Sequence, residues 1–181
     1  MRRAGALMTV LVTLLVLSAP GLGQADTKRD PAGDLAFEPD SGSRADLDLL
    51  SVTSGTAKRG QAVQTVTVAG RAADPKGKGI LPTLWVDSPT YPNARSECDF
   101  YVGKMGSKIG VFKCGTTRRI GSAKVVRTSA STLRYSFSRK TIGKPKSYRW
   151  SFFMWGPKGG TTVAFDRLPD VQDGTYTNKL R

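Results

Sequence analysis

Histidine is absent from the 181-residue chain. That absence excludes a Ser-His-Asp triad, a Cys-His dyad, the His-containing zinc sites and an HExxH metalloprotease helix. Cysteine occurs only twice, at Cys98 and Cys114, with no CxxC pair to suggest redox exchange. Acidic residues are scarce, 14 against 28 Lys plus Arg, and the formal charge is +14. Helical periodicity is missing too, because no segment sustains apolar residues at a 3.6-residue spacing. What remains reads as a basic, mostly-β protein that is not an enzyme and carries no cofactor.

The one long apolar run lies at the start. Arg2 and Arg3 precede an apolar stretch over residues 6–17, and small residues with helix breakers follow (Ser18, Ala19, Pro20, Gly21, Gly23, Ala25). That order is the pattern of a signal peptide over residues 1–25, cut after Ala25 or Gly23. The stretch is short for a membrane span, so the expectation is a secreted, extracellular protein without a transmembrane anchor after cleavage, and a monomer. With no cysteine near the cut, a lipid-modified N-terminus of the bacterial lipoprotein kind is excluded.

Charge is uneven beyond that point. Residues 26–50 hold seven acidic and three basic side chains, net −4, while the remainder holds seven acidic and 23 basic, net +16. Residues 26–46, rich in Pro, Gly, Ser and Asp, therefore read as an acidic leader, disordered or loosely attached. Residues 47–181 read as a single basic domain with enough chain for a core.

From Leu47 the texture changes to short runs rich in Val, Thr and aromatics between Gly, Pro, Lys and Ser. Strands are predicted over 47–54, 62–70, 83–86, 98–102, 108–114, 123–128, 132–138, 148–155 and 161–165, with a helical turn over 139–143. Eight or nine strands at roughly ten-residue spacing predict an all-β, antiparallel two-sheet sandwich. Leu133, Tyr135 and Phe137 alternate with Arg134, Ser136 and Ser138, one face apolar and one wet. In the run 148–155 both faces are apolar: Tyr148, Trp150, Phe152 and Met154 on one, Arg149, Ser151, Phe153 and Trp155 on the other. Either this is a central strand covered on both sides, or Phe153 and Trp155 form an exposed stacking platform beside Arg149.

The cysteines suggest a hairpin. Folding about Gly106 sets Cys98 opposite Cys114, Phe100 opposite Phe112 and Val102 opposite Gly110, within reach of a disulfide. An exported protein with an even cysteine count is expected to be oxidised.

The loop carboxylates Asp87, Glu97, Asp99, Asp166 and Asp170 read first as solvated or salt-bridged groups. Calcium ligation comes second and glycoside hydrolysis last, and no EF-hand spacing occurs. No metal site is expected from motif spacing.

Leu47, Asp48, Leu49 and Val52, then Asp87, then Asp99 with Phe100 and Tyr101, then Leu133, Phe137, Gly143, Tyr148, Arg149 and Trp150, and finally Asp166, Arg167, Pro169 and Asp170 form an ordered set. In these positions the chain resembles the small secreted β-sandwich proteins common in actinobacteria, similar to the DOMON and family 9 carbohydrate-binding-module group. The resemblance implies a non-catalytic binding sandwich for sugars or haem. Haem ligation in such domains uses Met and His, and this chain has no His, so the sugar-binding side is the one it fits. There the candidate ligand-binding residues are Trp85, Trp155, Phe153 and Arg149. The expected partner is a glycan or cell-envelope polymer. The alternatives are a protein-interaction domain, or an anionic wall polymer, acidic lipid or, least favoured, nucleic acid, held by the many cations through salt-sensitive contacts.

Overall fold

Period-two alternation governs nearly every segment that carries bulky side chains, and the resulting strands need partners on both edges. The computed structural model describes residues 26–36, 45–57, 60–90, 98–169 and 176–179. Residues 1–25, read from sequence as a signal peptide, together with residues 37–44, Glu97 and Asp170, lie outside the described residues.

Twelve strands form among the described residues: β1 (Asp26–Arg29), β2 (Leu49–Ala57), β3 (Gln61–Val68), β4 (Thr83–Asp87), β5 (Phe100–Met105), β6 (Lys108–Lys113), β7 (Arg119–Gly121), β8 (Ala123–Arg127), β9 (Thr132–Ser138), β10 (Ser147–Lys158), β11 (Thr161–Leu168) and β12 (Tyr176–Lys179). They build two antiparallel sheets, one in the order β1-β2-β3-β9-β8, the other β11-β10-β4-β5-β6-β7 with β12 also paired to β10. No α-helix occurs among the described residues. The all-β two-sheet sandwich expected from sequence is the observed architecture.

Each sheet turns one apolar face inward. β9 contributes Leu133, Tyr135 and Phe137, and β10 contributes Tyr148, Trp150, Phe152 and Met154, all buried. Their rings meet edge to face across the two sheets: Tyr135 with Phe152 at 5.3 Å and Phe137 with Tyr148 at 6.2 Å between centroids. Each such pair adds about 0.5–1.5 kcal/mol beyond the area it buries. Two of the polar tips inside find partners, while Gln64 Oε1 and Trp150 Nε1 are buried without one among the described residues. Tyr135 Oη donates to the Pro82 carbonyl at 2.6 Å, and Gln64 Nε2 donates to Tyr148 Oη at 3.0 Å.

The turns fix register. β10 and β11 are joined through Gly159 (φ 55°) and Gly160 (φ 79°), between the opposed residues Lys158 and Thr161. Two consecutive positive φ values are what a type I′ hairpin needs, and glycine meets that requirement without strain. At the β5–β6 hairpin the structure corrects the sequence expectation. The turn holds two residues, Gly106 and Ser107, so Tyr101 faces Phe112, Val102 faces Val111 and Phe100 faces Lys113. A fold about Gly106 alone is one residue out of register, and such a slip exchanges which side chains share a face. The disulfide forms nevertheless, with Cα atoms 5.9 Å apart. It crosses diagonally just beyond the ladder, where the Cys114 amide donates to the Asp99 carbonyl at 3.0 Å.

Three strands carry no clear sequence signal. β7 is three residues long, and β12 is largely polar. β1 corrects the reading of a loose leader over its first residues. Its backbone pairs with β2 from Asp26 opposite Ser54 to Arg29 opposite Ser51, and Thr27 Oγ1 meets Thr53 Oγ1 at 2.8 Å. An edge strand held by backbone hydrogen bonds needs no apolar run. The turn expected over 139–143 is a 3₁₀ turn, Arg139–Ile142, capped by the Ser138 hydroxyl, which accepts from the Lys140 amide.

The disulfide spans a sequence separation of 16 residues, and closing a loop of that length is worth about 3 kcal/mol by chain entropy. The double variant Cys98→Ala/Cys114→Ala is therefore expected to lose about 3 kcal/mol, read as a lower urea midpoint with an unchanged far-ultraviolet circular dichroism spectrum.

Candidate functional site

The outward face of the seven-stranded sheet is unusually aromatic. On β4 the residues Leu84 and Val86 point into the core, which turns Trp85 outward with Thr83 and Asp87. On β10 the same alternation turns Arg149, Ser151, Phe153 and Trp155 outward, and a register shift follows between Met154 and Trp155. Trp85 lies opposite the small Ser151, so its ring can lean along β10. It meets Phe153 at 4.3 Å and Trp155 at 5.9 Å between centroids, the two indoles only 22° from parallel. Phe153 and Trp155 stack at 5.4 Å.

Across the strands the same row continues. Ser151, Trp85, Tyr101, Phe112 and Arg119 are successive cross-strand partners. Tyr101 and Phe112 stack at 5.0 Å and 12°. Arg119 lies over the bare backbone of Gly110, where an added Cβ would come within 2.5 Å of its Nε. Tyr101 and Phe112 were not foreseen as part of this face, because the one-residue error in register had set Phe100 opposite Phe112.

Two of the expected residues thus stand together half-buried, Trp85 and Trp155. Phe153 does not: it is only 5% exposed, which corrects its reading as an open platform. The two indoles flank it, and the Arg167 guanidinium carbon sits 4.8 Å above its ring. It supports the pair from beneath. Trp150 is core, as its face predicted, and 1% exposed. Arg149 stands at the rim, its side chain 64% exposed and its Nη2 3.3 Å from Asp87 Oδ2. Burial pushes the Asp87 carboxyl above the usual range, Arg149 pulls it back down, and Asp99 adds a further upward push.

Asp87, Asp99 and Asp166, the described members of the carboxylate set, are engaged in structural bonds. Asp99 is buried and its Oδ2 accepts from the Ser88 amide at 2.7 Å. Asp166 is not on a loop: β11 runs three residues further than expected, to Leu168, and carries it inward. Its Oδ2 accepts from the Leu49 amide and its Oδ1 from the Arg167 amide at 2.6 Å. Burial pushes its pKa up to about 6, against the pull of those two amides and with a further push from Asp34 and Asp48.

The cations divide between faces. Lys124 and Arg134 lie on the outer face of the five-stranded sheet, while Arg149 and Arg167 lie on that of the seven-stranded sheet. Others are tied to backbone carbonyls: Lys104 to Gly77, Arg127 to Ala72 at 3.3 Å and Arg139 to Pro145 at 2.7 Å.

No family model, curated protein or solved structure matches the chain. Among the described residues no helix is long and apolar enough to cross a membrane, and the disulfide is compatible with an extracellular location.

The geometry sets an expectation for fluorescence. Iodide should quench the emission of Trp85 and Trp155 but not that of Trp150. Quenching should survive in Trp150→Phe and fall almost to nothing in Trp85→Phe/Trp155→Phe, as measured by Stern–Volmer titration.

Proposed function

We propose that the protein is a secreted, non-catalytic binding module that holds a glycan or glycan-bearing cell-envelope polymer on the outer face of its seven-stranded sheet. The observation that carries this reading is the near-parallel pair Trp85 and Trp155, 5.9 Å apart and half-buried on the outward face rather than fully covered. The sheet already closes its core on the opposite face with Trp150 and Phe152. Two more indoles on the outward side add nothing to that core, and exposed aromatic surface in a folded domain marks a place of binding.

A pyranose ring matches the pair chemically. Its C–H face is apolar and packs on an indole, while its hydroxyls radiate in the ring plane and need donors and acceptors. The Arg149–Asp87 pair at the rim supplies both. Phe153 packs against both indoles and limits their freedom, so less side-chain entropy is lost on binding. The resemblance to carbohydrate-binding sandwiches and the signal-like residues 1–25 support the same reading.

The test is retention on insoluble polysaccharides and purified cell-wall material. Trp155→Ala and Trp85→Ala are each expected to weaken retention at least tenfold, with the circular dichroism spectrum unchanged. Retention by the unsubstituted protein should persist when salt is raised from about 50 to about 500 mM, a change that strips polyelectrolyte contacts. Loss of retention in high salt, with both tryptophan variants behaving like the parent, would replace the aromatic reading with the cationic one.

A further inference from the structure

The outer face of the five-stranded sheet holds a groove of about 740 Å³ that runs along β9 between β3 and β8. Small side chains make its floor. Ser136 lies between Val63 on β3 and Lys124 on β8, and Ser138 lies opposite Gln61. Two residues further along, Arg134 faces Val126. Val125, Leu133 and Tyr135 turn into the core, so the pleat sends their neighbours Lys124, Val126, Arg134 and Ser136 outward.

The groove is cationic, and no described carboxylate lines it. Lys124 and Arg134 are exposed, and neither side chain has a hydrogen bond or ion pair among the described residues. They are diagonal neighbours across β8 and β9, about 7–8 Å apart, and like charges so placed repel. The sequence offers nothing to neutralise them: no Asp or Glu occurs between Asp48 and Asp74 or between Asp99 and Asp166, so β3, β8 and β9 are all free of acid. A third guanidinium stands at one end of the groove, where Arg119 Nη2 donates to Ser122 Oγ at 3.2 Å.

We propose that this groove is a second binding site, on the opposite outer surface from the tryptophans and independent of them, for a linear phosphate-bearing polyol or sugar chain. A phosphate presents several acceptor oxygens at once. The Lys124 ammonium, the forked Arg134 guanidinium and the hydroxyls of Ser136 and Ser138 are all donors. Val126, 38% exposed beside Arg134, gives the C–H surface between phosphates an apolar contact. Nucleic acid matches the groove less well, because Phe137, the aromatic residue of its lining, is 2% exposed and belongs to the core. A base therefore finds no ring to stack on. A lipid surface calls for a broad apolar face, which a single valine does not make.

The test is titration of the protein with lipid-free poly(glycerol phosphate), followed by microscale thermophoresis in about 50 and about 200 mM salt. Affinity should fall roughly tenfold over that range, as two or three phosphate contacts require. Lys124→Gln and Arg134→Gln should each weaken binding about fivefold or more at the lower salt and reduce the salt slope by about one, with the circular dichroism spectrum unchanged. Lys108→Gln, which removes an exposed cation on a strand of the other sheet, and Trp155→Ala should each leave binding nearly unaltered. Absence of binding at the lower salt, equal losses in Lys108→Gln and Lys124→Gln, or an affinity for polygalacturonate or oligo(dT) equal to that for the phosphate polymer would each overturn the assignment.

Discussion

The sandwich is tied at one edge by a buried carboxylate. Asp166 on β11 belongs to the seven-stranded sheet, and the amide it accepts belongs to Leu49, the first residue of β2 in the five-stranded sheet. Elsewhere the sheets meet mainly through apolar side chains, with the Gln64–Tyr148 hydrogen bond crossing between β3 and β10. At this edge a specific bond sets how far β2 slides along β11. Burial raises the pKa of Asp166 to about 6 despite two amide donors, so the bond exists against a real desolvation cost. In a chain with twice as many cations as carboxylates, four Asp side chains gathered at one edge are a local exception to the charge of the whole. The acidic leader noticed in the composition accounts for it. Asp30, Asp34 and Asp48 all come from the net-negative residues 26–50, and the fold brings them to the one buried carboxylate of β11.

Much of this was legible in the sequence wherever the physics is local. Alternation of Leu133, Tyr135 and Phe137 with polar neighbours needed only the pleat of a strand, and β9 appears over the expected residues. Cys98 and Cys114 needed only an oxidising compartment and a hairpin of suitable length. Register was harder, because it depends on whether one residue or two occupy the turn. Gly106 alone looked sufficient; Gly106 with Ser107 is what the chain uses, and every cross-strand pair moves by one. β1 was unreadable for a different reason. An edge strand gains its stability from backbone bonds to a strand more than twenty residues away, and composition carries no trace of that pairing. The acidic cluster was hidden in the same way, since Asp166 is 117 residues from Leu49, its partner.

The run 148–155 was ambiguous because both faces are apolar, and the fold resolves the ambiguity by using each face differently. β10 is the most heavily paired strand of its sheet, with β4 along one edge and β11 and β12 sharing the other. Its inward face meets β9 and closes the core. Among the described residues its outward face meets no second sheet; there Trp85 packs on Phe153 and Trp155, and Arg167 lies over Phe153. That covering hides the phenyl ring and leaves the indoles half open. No sequence pattern distinguishes Phe153 from Trp155 on this point, because the difference lies in a guanidinium reaching over from the adjacent strand.

That guanidinium links the two chemically distinctive regions. Asp166 and Arg167 are consecutive on β11 and, by the pleat, point to opposite faces of the sheet. One enters the carboxylate cluster at the sheet edge; the other lies 4.8 Å above Phe153 and pins it under the two tryptophans. The Arg167 amide also donates to Asp166 Oδ1 at 2.6 Å, so the backbone between them is held from the acidic side. Whatever fixes Asp166 in position therefore fixes the origin of the Arg167 side chain. A displaced Asp166 would shift the cover of Phe153 and, with it, the angle between Trp85 and Trp155. The aromatic face thus draws part of its geometry from the acidic edge.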